Sequence, residues 1–222
     1  MHDATEERSP LEDHLATALS QRHCPICYIL SDKTYHLLCQ LQHDAVHNAE
    51  VKAYVTAAGG YCNFHFWYVE KLTSPVTNAQ LLQNLLEKIE AEILDHQNAP
   101  QGVSTCLTTE ARCPVCRTCR IWEEELLALF AAKIPEKGFW AAYQHRRGLC
   151  LPHLAQILNR LPDPEARSAL VAAACHQLDV LIKELRLQII KWQTKERILG
   201  EERDSTYRAI EKLVGGNRYR TH

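Results

Sequence analysis

Gly59-Gly60-Tyr61-Cys62-Asn63-Phe64-His65 is echoed later in the chain by Arg147-Gly148-Leu149-Cys150-Leu151-Pro152-His153, a second glycine-led Cys-x-x-His. Each copy stands behind its own Cys-Pro-x-Cys, namely Cys24-Pro25-Ile26-Cys27 and Cys113-Pro114-Val115-Cys116. Cys24 to Cys113 and Cys27 to Cys116 are both 89 residues apart, and Cys62 to Cys150 and His65 to His153 are both 88 apart. Such register reads as an internal duplication. Each half is therefore expected to close its own four-coordinate metal site: Cys24, Cys27, Cys62 and His65 in the first, Cys113, Cys116, Cys150 and His153 in the second.

The residue types say which ion to expect. Thiolate and imidazole suit a tetrahedral, borderline-soft cation, and a closed shell of three Cys and one His is a common structural zinc site. The proline inside each Cys-Pro-x-Cys fixes φ where the chain bends. The Cys-x-x-His pairs follow glycines that stop one helix, so the next helix is expected to begin at the cysteine. That places both ligands on one face of a first turn, where free N–H groups and the positive end of the helix dipole favour thiolate. Two zinc ions per chain are the expectation. A [4Fe–4S] cluster is the alternative, because the second knuckle continues to Cys119 with the spacing Cys113-x2-Cys116-x2-Cys119. The first knuckle has Leu30 at that place, so Cys119 is an extra candidate outside the repeat. Disulfides or inert buried thiols are the reading without metal. Arg22 and His23 near the first knuckle, and Arg112, Arg117, Arg120, Arg146 and Arg147 near the second set, are candidates to offset the negative charge of the sites, against a plain reading as solvated arginines.

Composition narrows the class. A chain of 222 residues can bury a core as one or two domains, and a formal charge of −2 gives no global pull toward nucleic acid or anionic membrane. The charged opening, Met1 to Arg8, is not a signal peptide, and no apolar run is long enough to cross a bilayer. Ten cysteines in such a chain point to metal in a reducing compartment. A cytoplasmic protein is expected.

Helical periodicity runs throughout. Ser9-Pro10 starts a helix with Leu11, Leu15, Ala18 and Leu19 on one face. The stretch from about 32 to 58 lacks Pro and Gly and reads as one long helix. Cys62 to Leu72 is a short aromatic helix ended by Pro75, and Thr77 to Gln97 repeats Leu81, Leu82, Leu85, Leu86, Ile89, Ile93 and Leu94 at helical spacing. The segment from Asn98 to about Thr109 reads as a linker. The order then recurs: a helix from Cys116, a short one to Gly148, a ligand helix to Leu161, a long helix from about Glu165 to Leu199, and a last one from Glu201 to Val214. With no sustained alternation, the expectation is an all-α helical bundle. Its halves, 1–100 and 101–222, would be related by a pseudo-two-fold, with the two long post-proline helices packed together.

These tandem Cys-Pro-x-Cys … Gly-x-Cys-x-x-His halves, with the closing Glu202-Arg203-Asp204-Ser205-Thr206-Tyr207-Arg208-Ala209-Ile210, resemble a family of uncharacterised bacterial and archaeal proteins. The resemblance covers most of the chain. It implies the paired ligand sets and brings no activity.

Other groupings are thinner. His43, His47 and Glu50 fall at i, i+4 and i+7 on the first long helix, with His36 one heptad earlier, and would form half of a dinuclear site or simply a polar face. Glu92 with His96, and His176 with Asp179, are similar but smaller. Cys39, Cys106 and Cys175 lie outside the repeat; Cys175, behind Val171 and three alanines, reads as a small core residue. The basic residues between Lys191 and Arg220 are offset by Glu196, Glu201, Glu202, Asp204 and Glu211, which argues against a nucleic-acid face. No nucleophile elbow, phosphate loop or dinucleotide fingerprint is present. Closed four-ligand shells favour a binding module with structural metals, acting on a protein partner or a second copy of itself. A redox or cluster-handling protein and a metal-dependent enzyme are the alternatives.

Overall fold

A computed structural model of the chain describes residues 9–99, 101–102, 113–144, 146–197 and 200–216. Every regular element among them is helical. The expected linker lies mostly outside the described residues, as do Cys106 and Arg112.

Helix α1, Pro10–Leu19, starts as the sequence demands. Ser9 and Glu12 form a reciprocal capping box and Pro10 occupies the first turn. Helix α2, Pro25–His47, begins inside the knuckle itself. The expected single helix from 32 to 58 is broken at Asn48, whose side chain turns back to accept from the backbone N–H groups of Glu50 and Val51 and so starts α3, Ala49–Ala57. Asn is among the strongest N-caps, and here its local bonds outcompete continuation of the helix. Next come α4, Asn63–Leu72, and α5, Pro75–Asp95, the latter capped by Ser74 with Pro75 in its first turn.

The later elements are α6, Pro114–Lys133; α7, Lys137–Gln144; α8, Leu151–Arg160; and α9, Pro164–Gln193. Helix α9 stops short of the expected Leu199, because Lys195 adopts φ 58° and Glu196 N–H returns to the Lys191 carbonyl. A 3₁₀ turn, Gly200–Asp204, leads into α10, Ser205–Val214, which ends at Gly215 with φ 88°.

The chain forms two compact units, and they are not the sequential halves 1–100 and 101–222. One comprises residues 1–32 and 122–222, the other residues 33–121. In the first, α9 packs with α10 and with the 3₁₀ turn, and α10 packs with α8. Its core contains Leu15, Ile26, Leu126, Leu127, Phe130, Tyr143, Ile157 and Leu170, all 2% exposed or less. In the second, α5 packs with α3 and α4 around Leu38, Val55, Val69, Leu81, Leu85 and Val115. Each post-proline helix thus finds packing partners within its own unit. No helix among the described residues is long and apolar enough to cross a membrane.

Candidate metal centres

Four helices begin at a cysteine. The carbonyls of Cys24, Cys62, Cys113 and Cys150 each accept the first helical N–H bond, from Tyr28, Phe66, Arg117 and Leu154 at 2.9, 2.9, 3.1 and 2.8 Å. The second ligand of each pair then sits three residues on, in the first turn. Cys62 and Cys150, which cap α4 and α8, make no side-chain capping bond, so their sulfurs are left for another partner.

These pairs meet two by two. Cys24 and Cys27 converge with Cys150 and His153 in the unit 1–32 with 122–222, while Cys62 and His65 converge with Cys113 and Cys116 in the unit 33–121. In each set the four donor atoms lie within 4.8 Å of one another. Around His153 Nδ1 the sulfurs of Cys24, Cys27 and Cys150 stand at 3.4, 3.4 and 3.1 Å, and Cys27 Sγ lies 3.8 Å from Cys150 Sγ. Around His65 Nδ1 the sulfurs of Cys62, Cys113 and Cys116 stand at 3.2, 3.5 and 3.4 Å, with Cys62 Sγ 3.5 Å from Cys116 Sγ. A tetrahedron with ordinary zinc bond lengths has S···S edges of about 3.8 Å and S···N edges of about 3.5 Å. Both sets have room for one such ion at their centre.

All eight expected ligands are therefore gathered, but the expected grouping is wrong: each Cys-Pro-x-Cys is completed by the Cys-x-x-His of the other half. Helix length gives the reason. Cys27 lies in the first turn of α2, whose 23 residues carry the chain about 34 Å. The 9 residues of α3 recover at most about 14 Å, and the link that follows is a turn, with Ala58 helical, Gly59 and Gly60 at φ 74° and 81°, and their N–H groups bonded back to α3. The return run is shorter than the outward one, and each pair of the first half is completed by a pair from the second.

Electrostatics shows why the sets call for a cation. Hydrogen bonds with Cys113 and then Cys116 hold the Cys62 thiol far below its ordinary range, and Cys113 and Cys62 push Cys116 far above it. In the other set burial pushes Cys24 up, but Cys150 and Cys27 outweigh it and bring it well down, while the same kind of contact, with Cys150 and then Cys24, drives Cys27 up. Three thiols this close cannot all ionise on their own. The imidazoles respond too: against burial, Cys113 and Cys62 draw His65 up to about 9, and the Cys24 charge and the bonds to Cys150, Cys24 and Glu123 draw His153 well above its usual value. A divalent ion at the centre would relieve this repulsion, with all thiols ionised and the imidazole neutral.

The two surroundings differ. His153 Nε2 meets Glu123 Oε1 at 3.0 Å, with both side chains buried. This is the carboxylate–imidazole arrangement that fixes a ligating tautomer, leaving Nδ1 for the metal. Replacing Glu123 by Ala is expected to weaken ion retention at this site by about 10- to 100-fold, measured by chelator competition, while the His65 site keeps its affinity. The backbone N–H of Gly216, just beyond α10, donates to Cys27 Sγ at 3.3 Å. Lys212 Nζ, buried, donates to the carbonyls of Leu149 at 2.6 Å and Arg147 at 3.2 Å, tying down the approach to Cys150. Gly148 holds φ 72° on that approach, a conformation other residues rarely adopt, and a Cβ there would stand 1.8 Å from Gln177 Oε1 and force that side chain to move.

Other expected groups fall elsewhere. Cys119 is not in either four-ligand set; it is buried with Thr34 Oγ1 at 3.1 Å from its sulfur. The break at Asn48 takes Glu50 off the helix of His43 and His47, and those three join no ligand cluster among the described residues. Cys175 is exposed rather than a core residue, and Trp67 of the aromatic helix α4 is 63% exposed. Arg117 reaches Tyr54, through its hydroxyl and over its ring, instead of a sulfur. His23 pairs with Glu211 at 2.9 Å and Arg22 with Asp204 at 3.8 Å. Glu123, Lys212 and Gly216 were missed by the sequence reading. None carries a short-range signal, since Glu123 meets His153 thirty positions on and Gly216 meets Cys27 189 positions back.

A family model described as a family of unknown function (DUF6062) matches residues 7–220, and the chain belongs to that family. No curated protein and no solved structure matches it.

Proposed function

We propose that the protein is a helical binding module held together by two structural zinc ions, one in each ligand set, working on a protein partner or on a second copy of itself in the cytoplasm. The observation that carries the zinc reading is the size of the sets. Four donors within 4.8 Å share one ion, whereas an iron–sulfur cluster spreads its ligands over different irons around the body of the cluster. The closed shell supports a structural role, because a catalytic zinc keeps one position for water or substrate. Apolar side chains that stay exposed, among them Ile182, Ile189, Ile190 and Trp192 of α9 and Ile210 and Leu213 of α10, support an interaction role.

The matched spacings, with a Cys at the start of all four ligand-bearing helices, support an internal duplication whose copies have exchanged their ligand pairs. Elemental analysis of anaerobically purified protein, with its absorption spectrum, tests the reading. The expected result is two zinc per chain and no visible band; about four to eight irons per chain with visible absorption would overturn it.

A further inference from the structure

Beside the Cys24 set, within the unit formed by residues 1–32 and 122–222, lies a cavity of about 430 Å³. That is the size of a small-molecule site. Its wall includes the ligands Cys24 and Cys150, but most of it is unrelated to metal binding. Arg22, Arg146, Arg147, Arg208 and Lys212 face two carboxylates, Glu184 and Glu211. The carboxylates are already engaged: Glu184 by Arg208 at 2.5 Å and Arg147 at 3.7 Å, Glu211 by His23 at 2.9 Å. Asp204 also pairs with Arg22 and Arg208 and a Cys3His zinc centre adds about one negative charge, so the five cations exceed the anions around them by about one.

A second observation points the same way. Gln177 is 8% exposed and lines the cavity; its Oε1 lies 3.5 Å from Lys212 Nζ, and its Nε2 is poorly matched, with the Tyr143 hydroxyl, equally unmatched, as its protein neighbour. A buried amide donor left poorly matched is unfavourable unless something accepts from it. The remaining wall, Val180 and Leu181, is apolar.

We infer that this cavity binds a small organic anion, its carboxylate or phosphate group held by Arg146, Arg147 and Gln177 Nε2 and its apolar body against Val180 and Leu181. Guanidinium forks match either oxyanion in two-point fashion, and the amide supplies a neutral third donor. The inference stands on the cavity alone and is independent of which ion the cysteines hold.

Titration calorimetry on the full-length, metal-loaded protein at low salt tests it with phenyl phosphate, benzoate, inorganic phosphate and phenol. The expected result is that phenyl phosphate or benzoate binds with Kd below about 1 mM; whichever is tighter identifies the head group. Inorganic phosphate, lacking the apolar body, binds more weakly, and phenol, lacking the charge, does not bind. Arg146 is exposed at the rim, so Arg146→Ala leaves the fold intact and is expected to weaken the anion about fivefold or more. Gln177→Leu, which removes the amide donor at similar volume, weakens it independently. Absence of saturable binding of either aromatic anion, equal binding of phenol, or wild-type affinity in both variants would overturn the inference.

Discussion

Removing metal from the reduced protein with a strong chelator is expected to lower its melting temperature by at least about 10 °C and to abolish much of its helical circular dichroism. A structural zinc in a small domain contributes apparent free energies of about 10–16 kcal/mol, whereas a whole domain is stable by only about 5–15 kcal/mol. Each ion here would join two helix starts distant in sequence, so its loss restores the chain entropy of long loops. The effect should be uneven. Apart from Tyr61, the apolar core described in the unit 33–121 is aliphatic side chains and cysteines, while the other has Phe130 and Tyr143 fully buried among many leucines. Limited proteolysis of the stripped protein should therefore cut first within 33–121. Re-addition of two zinc per chain should restore the melt; an unchanged melt in protein shown to be metal-free would mean that the sites do not hold the fold.

The second large effect concerns which ligands act together. Cys27→Ser combined with Cys150→Ser damages only one set and is expected to leave one ion per chain. Cys27→Ser combined with Cys62→Ser damages both and is expected to leave none. The outcomes would be reversed if each half closed on itself. Cobalt substitution gives a direct count, since each intact thiolate-rich tetrahedral site contributes its own visible band. His153→Ala and His65→Ala, made separately, should each remove one ion of the two.

Much of the fold could be read directly from the residues. Ser9 caps α1 with Pro10 in the first turn as expected, Ser74 and Asp163 do the same slightly before the expected starts at Thr77 and about Glu165, and after the glycines that precede Cys62 and Cys150 a helix begins at the cysteine. These are local devices, satisfied within a few residues, and so they survive into any tertiary arrangement. The break at Asn48 was equally local but was hidden in an otherwise uninterrupted helical run; its capping preference had to be weighed against propensity.

The identity of the eight Cys and His residues that cluster, their presentation at helix starts and the all-helical character were determined by the sequence by itself, through residue chemistry and periods of a few residues. Which four of these residues come together was decided only by the tertiary structure, because it depends on where rigid helices of fixed rise carry their ends. The partners of Cys27 and His153, Gly216 N–H and the Glu123 carboxylate, likewise come from residues 189 and 30 positions away. No local pattern encodes such distances; they exist once the helices have packed.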